Sequence, residues 1–530
     1  MEDLIIRGGV VVDGSGAAGA RADVAVHGGR ISGVGNYAGA AAGEILDADG
    51  LVVSPGFIDA HAHSDTAFLL DGSGASKLYQ GITTEVSGNC GDSPFPCLPE
   101  RLPADDPWRC ASFDAFVRQF ERSGCAMATH QAMLVGHGAL RAAVMGYEDR
   151  SPSAGELEQM KTLLRRDLKD GACGMSLGLE YAPGFFAGRD ELRELGRVVR
   201  EFDGLLPCHL RSEGLHIGEA LGELFDVGRE TGAHVHVSHL KLDHYSVHGR
   251  AEAVWGMIEQ ARREGVRVTA DLYPYTAAGT SLSIRCPHWC LEGGGEMLER
   301  HLSGDRREEI LASLRAHYFS AERAETCLVS DDCGFWPEIV GKTLREIAEE
   351  MLHTGDYAEA AAEILARTHG RAWCVFFVMS ERDMLVFLSR DTMIGSDGRA
   401  LSGDAGRVPG CPHPRNYGAI PEFFRLAREK RLCTLEEAVR RVTSLPAGNL
   451  GLARRGLIRP GYAADLTVFD PETIAPRATY LQPVQLAAGV RHVIVDGQTA
   501  LRDGRQTEAR AGRFLRRTAE GRTCHPVKEE

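Results

Sequence analysis

Apolar positions along the chain change period as it passes from the ends to the middle. In the first 55 residues, short β-type runs at 4–6, 10–12, 23–26 and 30–34 are separated by glycine-rich breaks, which predicts a small sheet module. Runs of the same kind return near the C-terminus at 465–469, 492–496 and 498–501, so the two chain ends can complete one sheet beside a central domain. The middle reads differently. Ser153-Ala-Gly-Glu156 is a capping box that opens a helical pattern with Leu157, Met160, Leu163, Leu164 and Leu168 on one face. Strand-like 173–177 follows, then helix 189–202, strand 205–210, helix 217–231, strand 233–240, helix 251–264 and strand 266–273. Strand 373–379, helix 381–388 and strand 392–396 repeat the theme.

Such alternation argues for parallel βα units. The expected fold is α/β: a TIM-like (β/α)8 barrel over 57–450, with a small β-sandwich domain built from residues 1–56 and 451–513. Residues 285–345 break the rhythm with Gly293-Gly-Gly295 and a charged run at 306–309, which suggests an insertion subdomain. Residues 514–530 read as a polar tail.

Composition narrows the functional classes. Lys plus Arg is 59 against 74 Asp plus Glu, a formal charge of −15, which disfavours a nucleic-acid or anionic-membrane partner. The longest apolar run, 372–379, is far short of the roughly 20 residues of a membrane helix. Met1-Glu2-Asp3 shows no basic, then apolar, leader pattern, and the 14 cysteines include no C-x-x-C. A reduced, cytoplasmic compartment is the expectation.

The chemistry lies at the C-terminal ends of the expected barrel strands, where barrel enzymes carry their active sites. His61-Ala-His63 follows Phe57-Ile-Asp59, and histidines at i and i+2 project to one side of a strand. The run 83–87 ends in Gly88-Asn-Cys90-Gly91, 205–208 ends in His209, His236-Val-Ser-His239 closes another strand with Lys241 beyond, and 392–396 ends in Asp397. Four imidazoles, a thiol and a carboxylate at one rim favour zinc, although each taken singly reads as an ordinary core residue. Gly174-Met-Ser176-Leu-Gly178 matches the nucleophile-elbow pattern, but Tyr181-Ala-Pro-Gly184 follows where that motif needs a helix.

Several segments resemble the N-acyl-D-amino-acid deacylase (D-aminoacylase) family of the amidohydrolase superfamily. They are Pro55-Gly-Phe-Ile-Asp-Ala-His-Ala-His63, Gly88-Asn-Cys-Gly91, His209-Leu-Arg-Ser-Glu-Gly214, His236-Val-Ser-His-Leu-Lys241, Asp271-Leu-Tyr-Pro-Tyr-Thr276, Gly395-Ser-Asp-Gly398 and His413-Pro-Arg-Asn-Tyr-Gly418. The resemblance implies a tight zinc on Cys90, His209 and His239, and a second, weaker zinc site at His61 and His63. It implies Asp397 as the group that moves the proton, and Lys241, Arg415 and Tyr181 as holders of the substrate carboxylate. Glu180 offers either a further zinc ligand or a loop carboxylate, and His137 either lines the acyl pocket or orients its loop. The implied partner is a small N-acyl-D-amino acid. A D-residue dipeptidase, a cyclic-amide hydrolase such as a dihydropyrimidinase or hydantoinase, and a non-catalytic scaffold are the competing readings.

Overall fold

The computed structural model describes residues 1–99, 106–317 and 319–518. Its centre is a ring of parallel strands: β1 (Phe57–Asp59), β2 (Ile82–Ser87), β3 (His130–Met133, continued by Val135–Gly136), β4 (Met175–Gly178), β5 (Leu205–His209), β6 (His234–Val237), β7 (Val268–Leu272) and β8 (Met393–Ile394). Each pairs in parallel with the next. β8 returns to β1: Ala60 N–H donates to Ile394 O at 3.2 Å, Asp397 N–H donates to His61 O at 2.7 Å, and Ala62 and Gly398 form a parallel bridge. The strands are buried along their whole length, polar positions such as His234 and His236 included.

Helices Ala154–Lys169, Arg189–Glu201, Ile217–Thr231, Ala251–Arg263 and Glu381–Leu388 pack outside the ring. The first opens with the expected capping box, Glu156 N–H to Ser153 Oγ at 3.3 Å and Ser153 N–H to Glu156 Oε2 at 2.7 Å, and buries Met160, Leu163, Leu164 and Leu168. Among the described residues no helix is long and apolar enough to cross a membrane.

The chain ends form two facing sheets. Strands Arg30–Gly35, Asp23–His27, Glu2–Arg7 and Ala42–Asp47 make the first. In the second, Val52–Pro55 pairs antiparallel with Leu466–Phe469, setting Val53 opposite Val468. Leu4, Ile6, Val24, Val26, Ile31, Leu466 and Ile494 fill the space between them.

Two segments depart from the sequence reading. Trp373–Phe376 is not a barrel strand; it pairs antiparallel with Ala278–Ser281 and Cys327–Asp331. The subdomain therefore extends beyond 285–345, and Leu282, Leu298, Ile310, Leu311, Ile364, Cys374 and Phe376 share its separate core. An apolar run records that a strand is buried, not which sheet receives it. Phe514–Leu515, placed in the polar tail, instead pairs in parallel with Gln131 and Ala132 of β3. The Phe514 ring lies 5.7 Å from Phe68, 5.5 Å from Phe116 and 5.3 Å from Phe120, and this aromatic cluster holds the strand down. Residues 519–530 of that tail lie outside the described residues.

Candidate metal centre and active site

The strand ends deliver their polar side chains to one point. His61 Nε2 lies 3.4 Å from Cys90 Sγ and 3.7 Å from Asp397 Oδ1, and His63 Nε2 lies 3.0 Å from the same oxygen. Cys90 Sγ is 3.2 Å from His239 Nε2, which is 3.0 Å from His209 Nδ1. Two donor sets share His239: His61, Cys90, His239 and Asp397 lie within 4.8 Å of one another, and so do His209, Glu213 and His239. The structure thus brings together His61, His63, Cys90, His209, His239 and Asp397, all read from the sequence. Thiolate and imidazole at this spacing are a donor set that suits zinc.

Three of these residues occupy the left-handed backbone region: Cys90 at φ 53°, His239 at φ 34° and Asp397 at φ 50°. Each follows a barrel strand. Such conformations cost on the order of 1–3 kcal/mol and persist where surrounding structure dictates them. The Cys90 turn shows how. Gly88 and Gly91 flank it at φ 80° and 81°, and a Cβ at Gly88 would stand 2.2 Å from Leu134 O. Ser176 Oγ donates to Gly88 O at 2.5 Å and accepts Gly91 N–H at 3.0 Å. The serine of the G-x-S-x-G pattern is therefore a buried brace for the cysteine loop.

Each of three histidines rests its other ring nitrogen on a carboxylate. Asp271 Oδ2 is 3.4 Å from His61 Nδ1, Glu180 Oε2 is 2.8 Å from His209 Nε2, and Glu213 Oε1 is 3.0 Å from His239 Nδ1. Such partners fix ring orientation and raise ligand basicity. Glu180 falls outside both donor sets and meets the ring nitrogen of His209 that does not face His239. Asp271 also accepts His239 N–H at 2.8 Å and lies 2.6 Å from His236 Nε2. Asp271 and Glu213 were not singled out from the sequence. The available signals were an acid at the end of β7 and an acid four residues after His209.

The residues expected at the substrate are held more tightly than their sequence positions suggested. Lys241 Nζ donates to Glu213 Oε2 at 2.5 Å and lies 2.8 Å from His239 Nδ1. Arg415 donates to Asp397 Oδ2 at 2.7 Å and to Gly279 O at 3.0 Å, and its guanidinium lies over Tyr273 at 4.9 Å. Its Nε has no hydrogen-bond partner. Tyr181 Oη is 3.0 Å from Thr280 Oγ1, and its ring is 4.6 Å from that of His209. His137 is fully buried, with Nε2 2.7 Å from Glu191 Oε1, and Arg141 shares that carboxylate. A cleft of about 630 Å³ opens beside Glu180 and Tyr181 and runs along Ser283, Ile284, Leu291 and Leu298 of the subdomain.

Electrostatics follow from this crowding. Burial disfavours the Cys90 thiolate, yet His239 and His61 outweigh it and hold the thiol well below its ordinary range. Burial likewise opposes charge on Asp397, but Arg415, His239, His63 and His61 keep its carboxyl well below the usual range. His209 is pushed up to about 10 against its burial, by Glu213, Cys90 and Glu180. His63 rises to about 9 against its burial, through Asp397 and Cys90. Raised proton affinity at the imidazoles marks a negative potential that a divalent cation satisfies.

Fold and donor set together define a metal-dependent hydrolase on a (β/α)8 barrel. Residues 44–275 and 346–501 match the model of the Amidohydrolase family, and the chain belongs to the N-acyl-D-amino-acid deacylase (D-aminoacylase) family of the amidohydrolase superfamily. It is 35% identical over 526 residues to the D-aminoacylase of Alcaligenes xylosoxydans xylosoxydans, covering 98% of both chains. It is 36% identical over 526 residues to the N-acyl-D-glutamate deacylase of the same organism, covering 98% of this chain and 97% of the relative. The crystal structure of N-acyl-D-glutamate deacylase from Bordetella bronchiseptica contains zinc and a phosphonate mimic of the tetrahedral intermediate. It matches with a TM-score of 0.81 at 34% identity, covering 97% of this chain and 99% of that one.

Proposed function

We propose that the chain hydrolyses the amide bond of N-acyl-D-amino acids, releasing a carboxylate and a free D-amino acid, with zinc as its resident metal. The observation that carries this reading is the convergence of Cys90, His209, His239, His61 and Asp397 at one rim, in a chain that matches deacylases along almost its whole length. Cys90, His209 and His239 would hold the tight zinc, and His61 and His63 a second, weaker one. When bound, zinc polarises the amide carbonyl and acidifies water.

The chain's own residues supply the rest. Asp397, kept ionised by Arg415 and the histidines, accepts the proton of the attacking water and passes it to the leaving amine. Glu180, Glu213 and Asp271 keep the ligand rings in orientation. Arg415 retains an unpartnered Nε–H for the substrate carboxylate, and Lys241 adds positive charge beside it. Tyr181 lines the cleft, where the acyl or side-chain portion has room. His137, fixed on Glu191, anchors the first turn of helix His137–Val144, which follows β3 directly, rather than touching substrate.

The test is a panel of N-acetyl-D-amino acids, N-acetyl-L-amino acids and hydantoins given to zinc-loaded protein, with amine release measured. Release from D-substrates and little from the others is expected. Equal rates for the two enantiomers, or turnover of hydantoins alone, would sink this reading.

A further inference from the structure

On the side of the barrel where β1 meets β8, a fully buried ammonium stands among carboxylates that the mechanism above does not use. Lys77 lies on helix Ala75–Leu78, between β1 and β2, with no solvent exposure. Its Nζ donates to Asp59 Oδ2 at 2.7 Å, Ser396 Oγ at 2.9 Å and Gly398 O at 3.3 Å, with Glu85 Oε2 at 3.5 Å. Asp59 in turn accepts Ser396 N–H at 2.7 Å, Ser396 Oγ–H at 2.5 Å and His61 N–H at 3.3 Å. Glu85 is held independently by Ser64, Thr129 and Gln131.

The placement of these partners is the argument. Asp59 stands two residues before His61, and Ser396 and Gly398 are the immediate neighbours of Asp397. One ammonium therefore reaches both strands of the seam at the point where each delivers a side chain to the metal centre. The seam needs such a tie. β8 is only Met393–Ile394, so few ladder bonds cross it. Asp397 itself sits at φ 50°, a region that local preference disfavours for a residue with a Cβ. Without constraint on both sides, its backbone would relax towards an extended conformation and carry the carboxylate off His63.

We propose that Lys77, acting through Asp59 and Ser396, is a positioning residue: it locks the β1–β8 seam so that Asp397 and His61 face the same point. A buried ammonium with three oxygen acceptors suits this role because its bonds are directional and its partners are themselves bonded. Its kinetic readout rests on the deacylase reading.

The test uses zinc-loaded full-length protein and two variants. Ser396→Ala removes the hydroxyl through which Lys77 and Asp59 both reach the residue beside Asp397. The double variant Asp59→Leu with Lys77→Met removes the directly bonded pair together, which buried pairs often tolerate better than loss of one partner, and leaves Glu85 to its hydrogen bonds from Ser64, Thr129 and Gln131. Both should keep the wild-type zinc content and melt cooperatively, with KM within about threefold of wild type while kcat falls by about ten- to a hundredfold. A crystal structure of Ser396→Ala should show the Asp397 carboxylate displaced by about 1 Å. Wild-type kcat in Ser396→Ala, an unmoved carboxylate, or a loss explained by missing zinc would each overturn the proposal. A double variant that fails to fold leaves the decision to Ser396→Ala. If the wild-type protein releases no D-amino acid, the deacylase reading fails alone, because the carboxylate position is read without substrate.

Discussion

Glu213 Oε1 and His239 Nδ1 meet at 3.0 Å, and Lys241 Nζ holds the other carboxylate oxygen at 2.5 Å. This chain of contacts leaves His239 Nε2 facing Cys90 and His209, and so selects the ring nitrogen that can bind a metal. Lys241 is thereby committed to Glu213 as well as to the charge balance of the site.

Glu213→Gln keeps the size of the side chain and removes its charge. Zinc affinity should fall about 10- to 100-fold, read by competition with a chelator. Replacement of Cys90, His209 or His239 by Ala should lose most of the metal outright, because each deletes a proposed ligand. Unchanged affinity in Glu213→Gln would show that the carboxylate does not tune the ring.

Asp397→Asn retains one acceptor oxygen and loses nearly all basicity. The tight zinc should remain, while kcat drops by about 10²- to 10⁴-fold. A variant that loses its tight zinc would make Asp397 a ligand instead, and one with near-native kcat would remove it from the mechanism.

Arg415→Ala should reduce kcat/KM for free-acid substrates by roughly ten- to over a hundredfold, since a charged hydrogen bond is worth on the order of 1.5–3 kcal/mol. Substrates with an amidated carboxylate should be poor for the wild type and less affected by the change. A second effect follows from the ion pair with Asp397 at 2.7 Å. Arg415 is the strongest of the groups lowering the Asp397 carboxyl, so its removal raises that pKa and moves the acid limb of kcat/KM to higher pH. An acid limb that stays in place would mean another group sets it.

Stability should depend on pH through Asp167, a fully buried carboxyl that burial pushes up to about 6 despite Arg166 and the Phe113 N–H. In the unfolded chain an Asp titrates near 3.9. Between about pH 4 and 6 the folded state therefore binds more protons than the unfolded one, and stability falls as pH rises through that window. Asp167→Asn should remove this slope, so its melting temperature relative to wild type should be higher at pH 7 than at pH 4. A constant difference across the two pH values would refute the assignment.

Much of this molecule could be read from the chain because the governing interactions are local. Helix Ala154–Lys169 announces itself by its capping box and the spacing of Met160, Leu163, Leu164 and Leu168. His61 and His63 reach the same side of β1 because a strand repeats every two residues. The terminal runs, 4–6 and 465–469 among them, are recognisable as strands because short β-type runs bounded by turn residues are a local signal.

Other features depend on who stands opposite whom. Trp373–Phe376 satisfies its apolar side chains in the subdomain sheet as well as it could in the barrel, so only tertiary packing assigns it. Phe514 is an unremarkable aromatic until Phe68, Phe116 and Phe120 converge on it. Glu213 and Asp271 lie in segments that carry the family resemblance but received no role from it, Lys77 lies in none of them, and Glu180 and Arg415 could each be placed in more than one role. Their roles are distances to groups up to hundreds of residues away, such as Lys77 to Ser396. Periodicity records how each residue is solvated by its own element, whereas closure of the ring between β1 and β8 decides which side chains share a site.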